Sequence, residues 1–377
     1  MRYIMDSIKR IIACNIPIEA CNLRCHYCFI TQKKKFSSQI PKFEYSPREI
    51  QKALSVKRLG GKCLINMTAS GETLLSNEII PIARALLEEG HYIELVTNGT
   101  ITKRFNEIIE LPKSLLERLF FKFSFHYLEL IRLNFLDTFF YNVNIIRNAG
   151  CSFTIEITPN DELVEHIDEI KKICTDRLHA LPHLTIARDD REIGIPILSQ
   201  YSFNDYINIW GKFNSDLFEF KSSIFYKKRT EFCYAGNWSL YINLMSGSAK
   251  QCYIGHQLKN IYTNIDSSLN YLAIGNNCRL PHCYNGHAFL TLGVIPKLKT
   301  PTYASVRNRK DKEGREWLNE PYKSFINRKL CISNKEYSFL VKLYINIQNK
   351  LLQINDISFL NKTKNRVRKI VRKKFVK

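Results

Sequence analysis

Between Arg10 and Asp190, short runs of β-branched and aromatic residues alternate with amphipathic stretches, the pattern of repeated strand-helix units around a parallel sheet. Candidate strands are Arg10 to Ile18, Lys62 to Met67, Tyr92 to Thr97, Phe120 to Phe125, Ser152 to Thr158 and Leu184 to Ala187. The segments between them read as helices. Ser46, Pro47 and Glu49 make a capping-box start, and Asn77 to Glu89 is closed by Gly90. A third helix ends at Asn148 before Gly150, and Asn160 is placed to cap a helix from Asp161 to Cys174. Six units fall short of a complete eight-unit barrel. The expected fold is α/β, a partial (β/α)6 TIM-like barrel over residues 1–195 that binds ligands at the carboxyl ends of its strands.

After Arg191 the rhythm breaks. Ser202 to Phe220 reads as one helix, and Trp238 to Ile254 as a hairpin turning at Ser246, Gly247 and Ser248. Residues 196–299 are therefore expected to carry a connecting helix and a small α+β domain that begins near Phe220. Residues 300–377 read as a basic, mainly helical C-terminal extension, with one helix near Glu336 to Leu352 and another after Lys362.

The chemistry is concentrated in cysteines, of which there are 12. Directly after the first candidate strand comes Cys21-Asn22-Leu23-Arg24-Cys25-His26-Tyr27-Cys28, a C-x3-C-x2-C loop. That spacing lets one loop wrap three corners of a 4Fe-4S cubane and leaves one iron open to an exchangeable ligand. The alternative is a structural zinc site with or without His26, although His26 directly follows Cys25 and would strain to share its metal.

The loop resembles the signature of the radical S-adenosylmethionine (radical SAM) enzymes, including Tyr27 before the last cysteine, and later segments extend the resemblance. Ala69-Ser70-Gly71-Glu72 looks like that family's Gly-Gly-Glu segment after strand two, with Ser70 in place of the first glycine. Val96-Thr97-Asn98-Gly99-Thr100 is similar to its strand-three turn, and Phe121 to His126 to its serine-bearing fourth strand. The resemblance implies a 4Fe-4S cluster on Cys21, Cys25 and Cys28 whose open iron is chelated by SAM. It implies further that the Gly71 backbone and Glu72 carboxylate receive the SAM ammonium, beside Asn98, and that Ser124 bonds its carboxylate or ribose. Tyr27, Glu156, Thr158 and Thr185 to Arg188 are then expected along its adenine or ribose.

Cys233, Cys252, Cys278 and Cys283 form a second constellation, four thiolates that suit a closed shell around zinc or a second 4Fe-4S cluster. Their placement around the hairpin resembles the shortened auxiliary-cluster domain called twitch, a relative of SPASM, which implies one auxiliary cluster assisting electron transfer. His256, His282 and His287 nearby read as packed or surface residues. Cys14, Cys63, Cys151, Cys174 and Cys331 read as small buried hydrophobes.

Fifty-six Lys plus Arg against 35 Asp plus Glu leave the 377-residue chain at +21, and nine of those cations fall between Asn361 and Lys377. Val367, Ile370, Val371 and Phe375 recur there at helical spacing, which suits peripheral contact with an anionic membrane or a solvated tail. Charge is the sole support for nucleic acid, which is therefore not the expected partner. An apolar share of 45% excludes disorder, and no stretch is long and apolar enough to span a bilayer. MRYIMDSIKR lacks an apolar leader core, so a cytoplasmic protein is expected.

Taken together, these features predict a radical SAM enzyme, oxidoreductase- or isomerase-type, abstracting hydrogen from a small-molecule, glycan or peptide substrate. Its expected reductant is an external one-electron donor such as flavodoxin or ferredoxin. Met1 to Lys9 leave no room for a leader-peptide-binding module ahead of the first strand, which tilts the expectation toward a small molecule or glycan. The alternative class is a non-enzymatic zinc or iron-sulfur metalloprotein that holds nucleic acid on its basic surface.

Overall fold

The computed structural model describes residues 6–354. Six strands follow one another in parallel with helices between them: β1 (Arg10–Ile16), β2 (Cys63–Ala69), β3 (Tyr92–Thr97), β4 (Leu119–Ser124), β5 (Ser152–Ile157) and β6 (His183–Leu184). Three more complete the sheet, β7 (Ser239–Asn243), β8 (Ala249–Lys250) and β9 (Gln257–Leu258), in the order β6-β5-β4-β3-β2-β1-β7-β8-β9. The strand-helix alternation thus yields the partial parallel barrel that it implies.

The expected hairpin exists but does not stand apart. Its first strand, β7, runs parallel to β1, with Ile11 opposite Ser239 and Asn15 opposite Asn243. It turns near Gly247, at φ +73°, into β8 and then β9, both antiparallel. Seven parallel strands therefore form one surface, and the second cysteine group hangs from the same sheet as the first.

Local signals explain most helix boundaries. Ser46 accepts from the Glu49 amide while the Glu49 carboxylate accepts from the Ser46 amide, with Pro47 at the first helical position. The segment read as one helix from Ser202 to Phe220 is two, Phe203–Gly211 and Asp216–Ile224. Asn214 takes φ +47° between them, and Ser215 caps the second through the Phe218 amide. Asn160 does not cap a helix with its side chain, which donates instead to the Thr158 carbonyl. A 3-10 turn, Asp161–His166, precedes the α-helix Ile167–Leu178.

Strand periodicity divides the core. One face of the sheet, with Ile12, Ile65, Leu95, Phe121, Phe123 and Ile155, packs against the helices. The other face is apolar near the strands' amino ends, where Ile11, Leu64, Tyr92 and Phe120 meet Tyr303, Tyr322 and Phe325. Toward the carboxyl ends that face turns polar, with Asn66, Thr68, Glu94, Lys122, Ser124, Thr154 and Glu156.

The chain after residue 299 crosses the boundary expected there. Tyr303, Trp317, Tyr322 and Phe325 are at most 1% exposed. The Tyr303 hydroxyl donates to Glu94 (2.6 Å), the Phe153 amide to the Trp317 carbonyl (3.0 Å), and Phe325 stacks on Tyr92. Residues 300–326 therefore pack onto the barrel rather than extending from it, with Tyr303, Tyr322 and Phe325 closing its interior and Trp317 on the helix-side core. The aromatic side chains account for this, since each gains about 1.5–3 kcal/mol by leaving water and the inner face offers an apolar surface to receive them.

Residues 339–354 form a helix. Ile345 and Asn349 pack inward, while Leu340, Tyr344, Ile347, Leu351 and Ile354 are exposed. The basic helix read from Val367, Ile370, Val371 and Phe375 lies outside the described residues. Among the described residues no helix is long and apolar enough to cross a membrane.

Candidate active site

Past Ile16 the chain leaves β1 but stays pinned to the continuation of β2. The amides of Ser70, Gly71 and Glu72 donate to the carbonyls of Ile16, Ile18 and Ala20, at 3.0, 2.6 and 2.9 Å. Gly71 is required by that approach: a Cβ there would lie 2.0 Å from the Ala20 carbonyl oxygen. The loop that follows carries Cys21, Cys25 and Cys28 and leads into the short helix Phe29–Gln32.

Further contacts hold the loop to β3 and β4. The Asn98 amide group donates to Asn22 Oδ1 (2.8 Å) and lies 3.9 Å from Cys21 Sγ, and Asn22 donates to Thr100 Oγ1. The Arg24 amide donates to Glu129 (2.6 Å), and the Tyr27 hydroxyl hydrogen-bonds His126 Nδ1 (2.7 Å) just past β4.

The three thiols are electrostatic neighbours, and burial raises their proton affinity. Cys25 goes well above the usual thiol range, and Cys21 to about 11 despite the Leu23 amide that donates toward its sulfur. Cys28 is raised by burial against the opposing amides of Ile30 and Thr31. Without a cation these thiols hold their protons, and a metal centre would displace them. One loop, three clustered thiols and a donor set of soft sulfur suit an iron-sulfur cluster that leaves one iron without a protein ligand.

Glu72 is buried (2% exposed), and its carboxylate accepts from the Leu74 amide (2.9 Å), Thr97 Oγ1 (2.7 Å) and the Asn98 amide (2.7 Å). It therefore ties the segment after β2 to the turn after β3. Asn98 Oδ1 is engaged by the amide and hydroxyl of Thr100. Ser124 ends β4 half-buried. Glu156, expected along the adenine or ribose, is instead committed to an ion cluster: Arg307 contacts its carboxylate and Lys122 lies 3.4 Å away. Arg188 is half-buried past β6, and Gln32 links its carbonyl to that of Tyr27.

The four cysteines of the second constellation are electrostatic neighbours. Cys233 and Gly275 exchange backbone hydrogen bonds at 3.0 Å, Cys252 follows β8, and Cys278 and Cys283 lie on the next loop. Burial, then the neighbouring thiols, raise Cys283 to about 12, while Cys252 reaches about 11. Cys233 is raised by burial, against the Ala235 amide, with its three partners adding to the shift. Gly236, at φ +97°, has no room for a side chain, because its Cβ would lie 2.1 Å from the Leu272 carbonyl oxygen. Cys278 lines a polar cleft of about 320 Å³ together with Lys250, Gln251, His256 and Arg279. Four neighbouring thiols are the donor type that a fully ligated cluster takes. Among the described residues no three His, Cys, Asp or Glu side chains are grouped as a single metal ion would hold them.

Of the isolated cysteines, Cys14, Cys63, Cys151 and Cys174 are buried as expected, whereas Cys331 is exposed, because it follows Leu330 in a 3-10 turn that buries only the leucine. Sequence reasoning missed Lys122, Lys221 and Arg307. Lys122 was open to discovery, since a charge alternating with Phe121 and Phe123 on a strand must face the interior with Ser124. Arg307 lies 151 residues from Glu156 and carries no local signal.

Residues 15–174 match the family model described as the radical SAM superfamily. No curated protein matches the chain. Among solved structures, it resembles Streptococcus suis SuiB bound to S-adenosylmethionine, with a TM-score of 0.46 and 15% identity over 69% of this chain and 65% of that one. It also resembles native anSMEcpe with bound AdoMet (TM-score 0.45, 14% identity, 67% and 78% covered). BtrN in complex with AdoMet and 2-DOIA aligns at TM-score 0.38 and 14% identity, covering 70% and 82%. The aligned part spans about two thirds of SuiB, 65% of its length.

Proposed function

From a chain whose residues 15–174 match the radical SAM superfamily model, we propose an enzyme that cleaves S-adenosylmethionine reductively and abstracts hydrogen from a small-molecule, glycan or peptide substrate. When bound, a 4Fe-4S cluster and SAM supply the electron and the 5'-deoxyadenosyl radical for this step. The observation that carries the reading is the cysteine loop, fixed at the carboxyl end of β1 by three backbone bonds to Ser70, Gly71 and Glu72.

In this reading Cys21, Cys25 and Cys28 hold three irons. The Leu23 amide and the Asn98 side chain, both directed at Cys21 sulfur, disperse its thiolate charge. The Gly71 backbone lies where the SAM ammonium is received. Glu72 acts through position, since three donors already engage its carboxylate. Ser124, Asn98, Tyr27 and Arg188 complete the SAM surroundings. Glu156 tunes the charge of the interior through Arg307 and Lys122. Apolar packing of residues 300–326 against the inner face keeps water from one end of the barrel.

Cys233, Cys252, Cys278 and Cys283 hold a second 4Fe-4S cluster, whose part is electron exchange with an external donor such as flavodoxin or ferredoxin. An oxidoreductase- or isomerase-type reaction follows from that arrangement. The site of action is the cytoplasm, with peripheral contact to an anionic membrane through the basic end.

Anaerobic reconstitution tests both cysteine groups. About eight irons per chain are expected, and dithionite with SAM should release 5'-deoxyadenosine. Cys25→Ala should abolish that release, and a variant with wild-type yield would overturn the assignment. About four irons with one zinc would overturn the second cluster alone.

A further inference from the structure

The sulfurs of an iron-sulfur centre are tuned by the hydrogen bonds they receive, and the three thiols of the first loop differ in where theirs come from. Cys21 takes the Leu23 amide at 3.5 Å and lies 3.9 Å from the side-chain amide of Asn98. Cys28 is served by the amides of Ile30 and Thr31, on the short helix that follows it. Cys25 is the most buried of the three, at 6% exposed. Toward its sulfur the hydrogen bond comes from a side chain, the Tyr27 hydroxyl.

That hydroxyl is held in place. It hydrogen-bonds His126 Nδ1 at 2.7 Å, and His126 stands between β4 and the helix Tyr127–Arg132. On the same helix Glu129 takes the Arg24 amide at 2.6 Å, so the cysteine loop is tied to this helix on both sides of Cys25. At the other end of Tyr27, Gln32 Nε2 donates to its carbonyl at 2.8 Å. Backbone and hydroxyl are both engaged, which fixes the direction of the O–H bond before any metal arrives.

A proton count gives the order of the chain. A phenol owns one hydrogen and two lone pairs, and Nδ1 carries a hydrogen in one tautomer of neutral imidazole and in imidazolium alike. When Nδ1–H donates to the phenolic oxygen, the hydroxyl hydrogen is free for sulfur, and the bonds run from His126 through Tyr27 to Cys25. The reverse order would turn an oxygen lone pair toward a thiolate, which loses the stronger, charge-assisted bond. Reduction places more negative charge on the sulfurs, so a donor aimed at one of them stabilises the reduced centre more than the oxidised one.

We propose that the Tyr27 hydroxyl, oriented by His126, donates a hydrogen bond to the cluster-bound sulfur of Cys25 and raises the reduction potential of the first cluster. His126 is in this sense a positioning residue, acting through Tyr27. The proposal rests on the radical SAM reading, because it assigns a role toward the cluster of that reading. Its test does not depend on turnover.

The full-length chain, reconstituted anaerobically with iron and sulfide, is titrated with dithionite in the absence of SAM. Electron paramagnetic resonance follows the reduced first cluster, whose signal is recognised by its change when SAM is added afterwards. Tyr27→Phe keeps the ring and removes the hydroxyl. The ratio of reduced to oxidised first cluster at a given potential should fall about tenfold, a lowering of about 59 mV for a one-electron couple. His126→Leu should lower the midpoint by less, and the double variant should match Tyr27→Phe alone, because His126 acts through the hydroxyl. Tyr141→Phe, at a tyrosine 58% exposed, should leave it unchanged. Iron content and circular dichroism of each variant report loading and folding. Should Tyr27→Phe fail to take up iron, His126→Leu decides, a lowered midpoint supporting the proposal and an unchanged one overturning it. An unchanged midpoint in loaded Tyr27→Phe, or additive shifts in the double variant, would likewise overturn it. A wild-type chain without any SAM-responsive cluster would instead strike the enzymatic reading.

Discussion

At the scale of single residues, the cysteine loop depends on a position that carries no reactive group. Gly71→Ala would set a methyl group 2.0 Å from the Ala20 carbonyl oxygen. The backbone bonds that anchor the loop must then break or shift, at a cost of about 1–3 kcal/mol. The expected outcome is loss of iron from the first site with the second retained, measured by iron and sulfide content. Gly211→Ala, like Gly71 not at positive φ but with nothing within 4 Å, is the matched control and should keep both. A second residue-scale expectation concerns acid. His91 is fully buried, its Nδ1 accepting from the Cys63 amide and its Nε2 bonded to the Leu54 carbonyl, and burial lowers it to about 4. His183, also buried, falls to about 3. The unfolded chain takes up protons near the ordinary histidine value, before the folded one does. Stability is therefore full above about pH 6.5 and declines as pH falls toward 4, by up to about 1.4 kcal/mol per pH unit for each histidine. Urea midpoints between pH 7.5 and 5 should fall accordingly, and His91→Gln should flatten the slope.

At the scale of elements, what could be read depended on whether the cause was local. The strands β1 to β5 announce themselves because alternate residues of each, such as Phe153, Ile155 and Ile157 on β5, are apolar or aromatic and face the helices. The capping box at Ser46 and the glycine after Glu89 are likewise complete within a few residues. The pairing of β7 with β1 was hidden, since parallel strands more than 200 residues apart leave no turn between them to read. The break at Asn214 was missed because helical periodicity continues across it. For the site, the cysteine spacing declared its own chemistry, while Lys221 and Arg307 gain theirs only when the helix Asp216–Ile224 and residues 300–326 fold against the interior. That closure gives a further expectation. Phe325→Ala removes the ring stacked 3.7 Å from Tyr92 and should cost about 3–5 kcal/mol. Denaturant unfolding should show the loss as a lower midpoint. A change near zero would mean that the segment merely lies on the barrel.

At the scale of the whole molecule, an exposed apolar surface precedes a run of positive charge in the sequence. Leu340, Tyr344, Ile347, Leu351 and Ile354 form an exposed seam along the helix 339–354, and the sequence that follows carries nine cations between Asn361 and Lys377. An apolar seam followed in sequence by a concentration of positive charge suits the interface of an anionic bilayer, and like charge disfavours pairing of two copies through the same seam. The full chain should sediment with vesicles containing phosphatidylserine and not with phosphatidylcholine alone. High salt, or the triple change Leu340→Ser, Ile347→Ser and Leu351→Ser, should release it. Sedimentation equilibrium showing a dimer that the same variant abolishes would place a second copy on the seam instead.

The pairing of β7 against β1 bears on size selection. Because the two groups of thiols are carried next to adjoining parts of one hydrogen-bonded lattice, that lattice sets a gauge for the span between them. In the proposed enzyme, a molecule processed between them must match that gauge, so whatever variety of compounds it accepts has to arise from differences beyond the caliper's jaws.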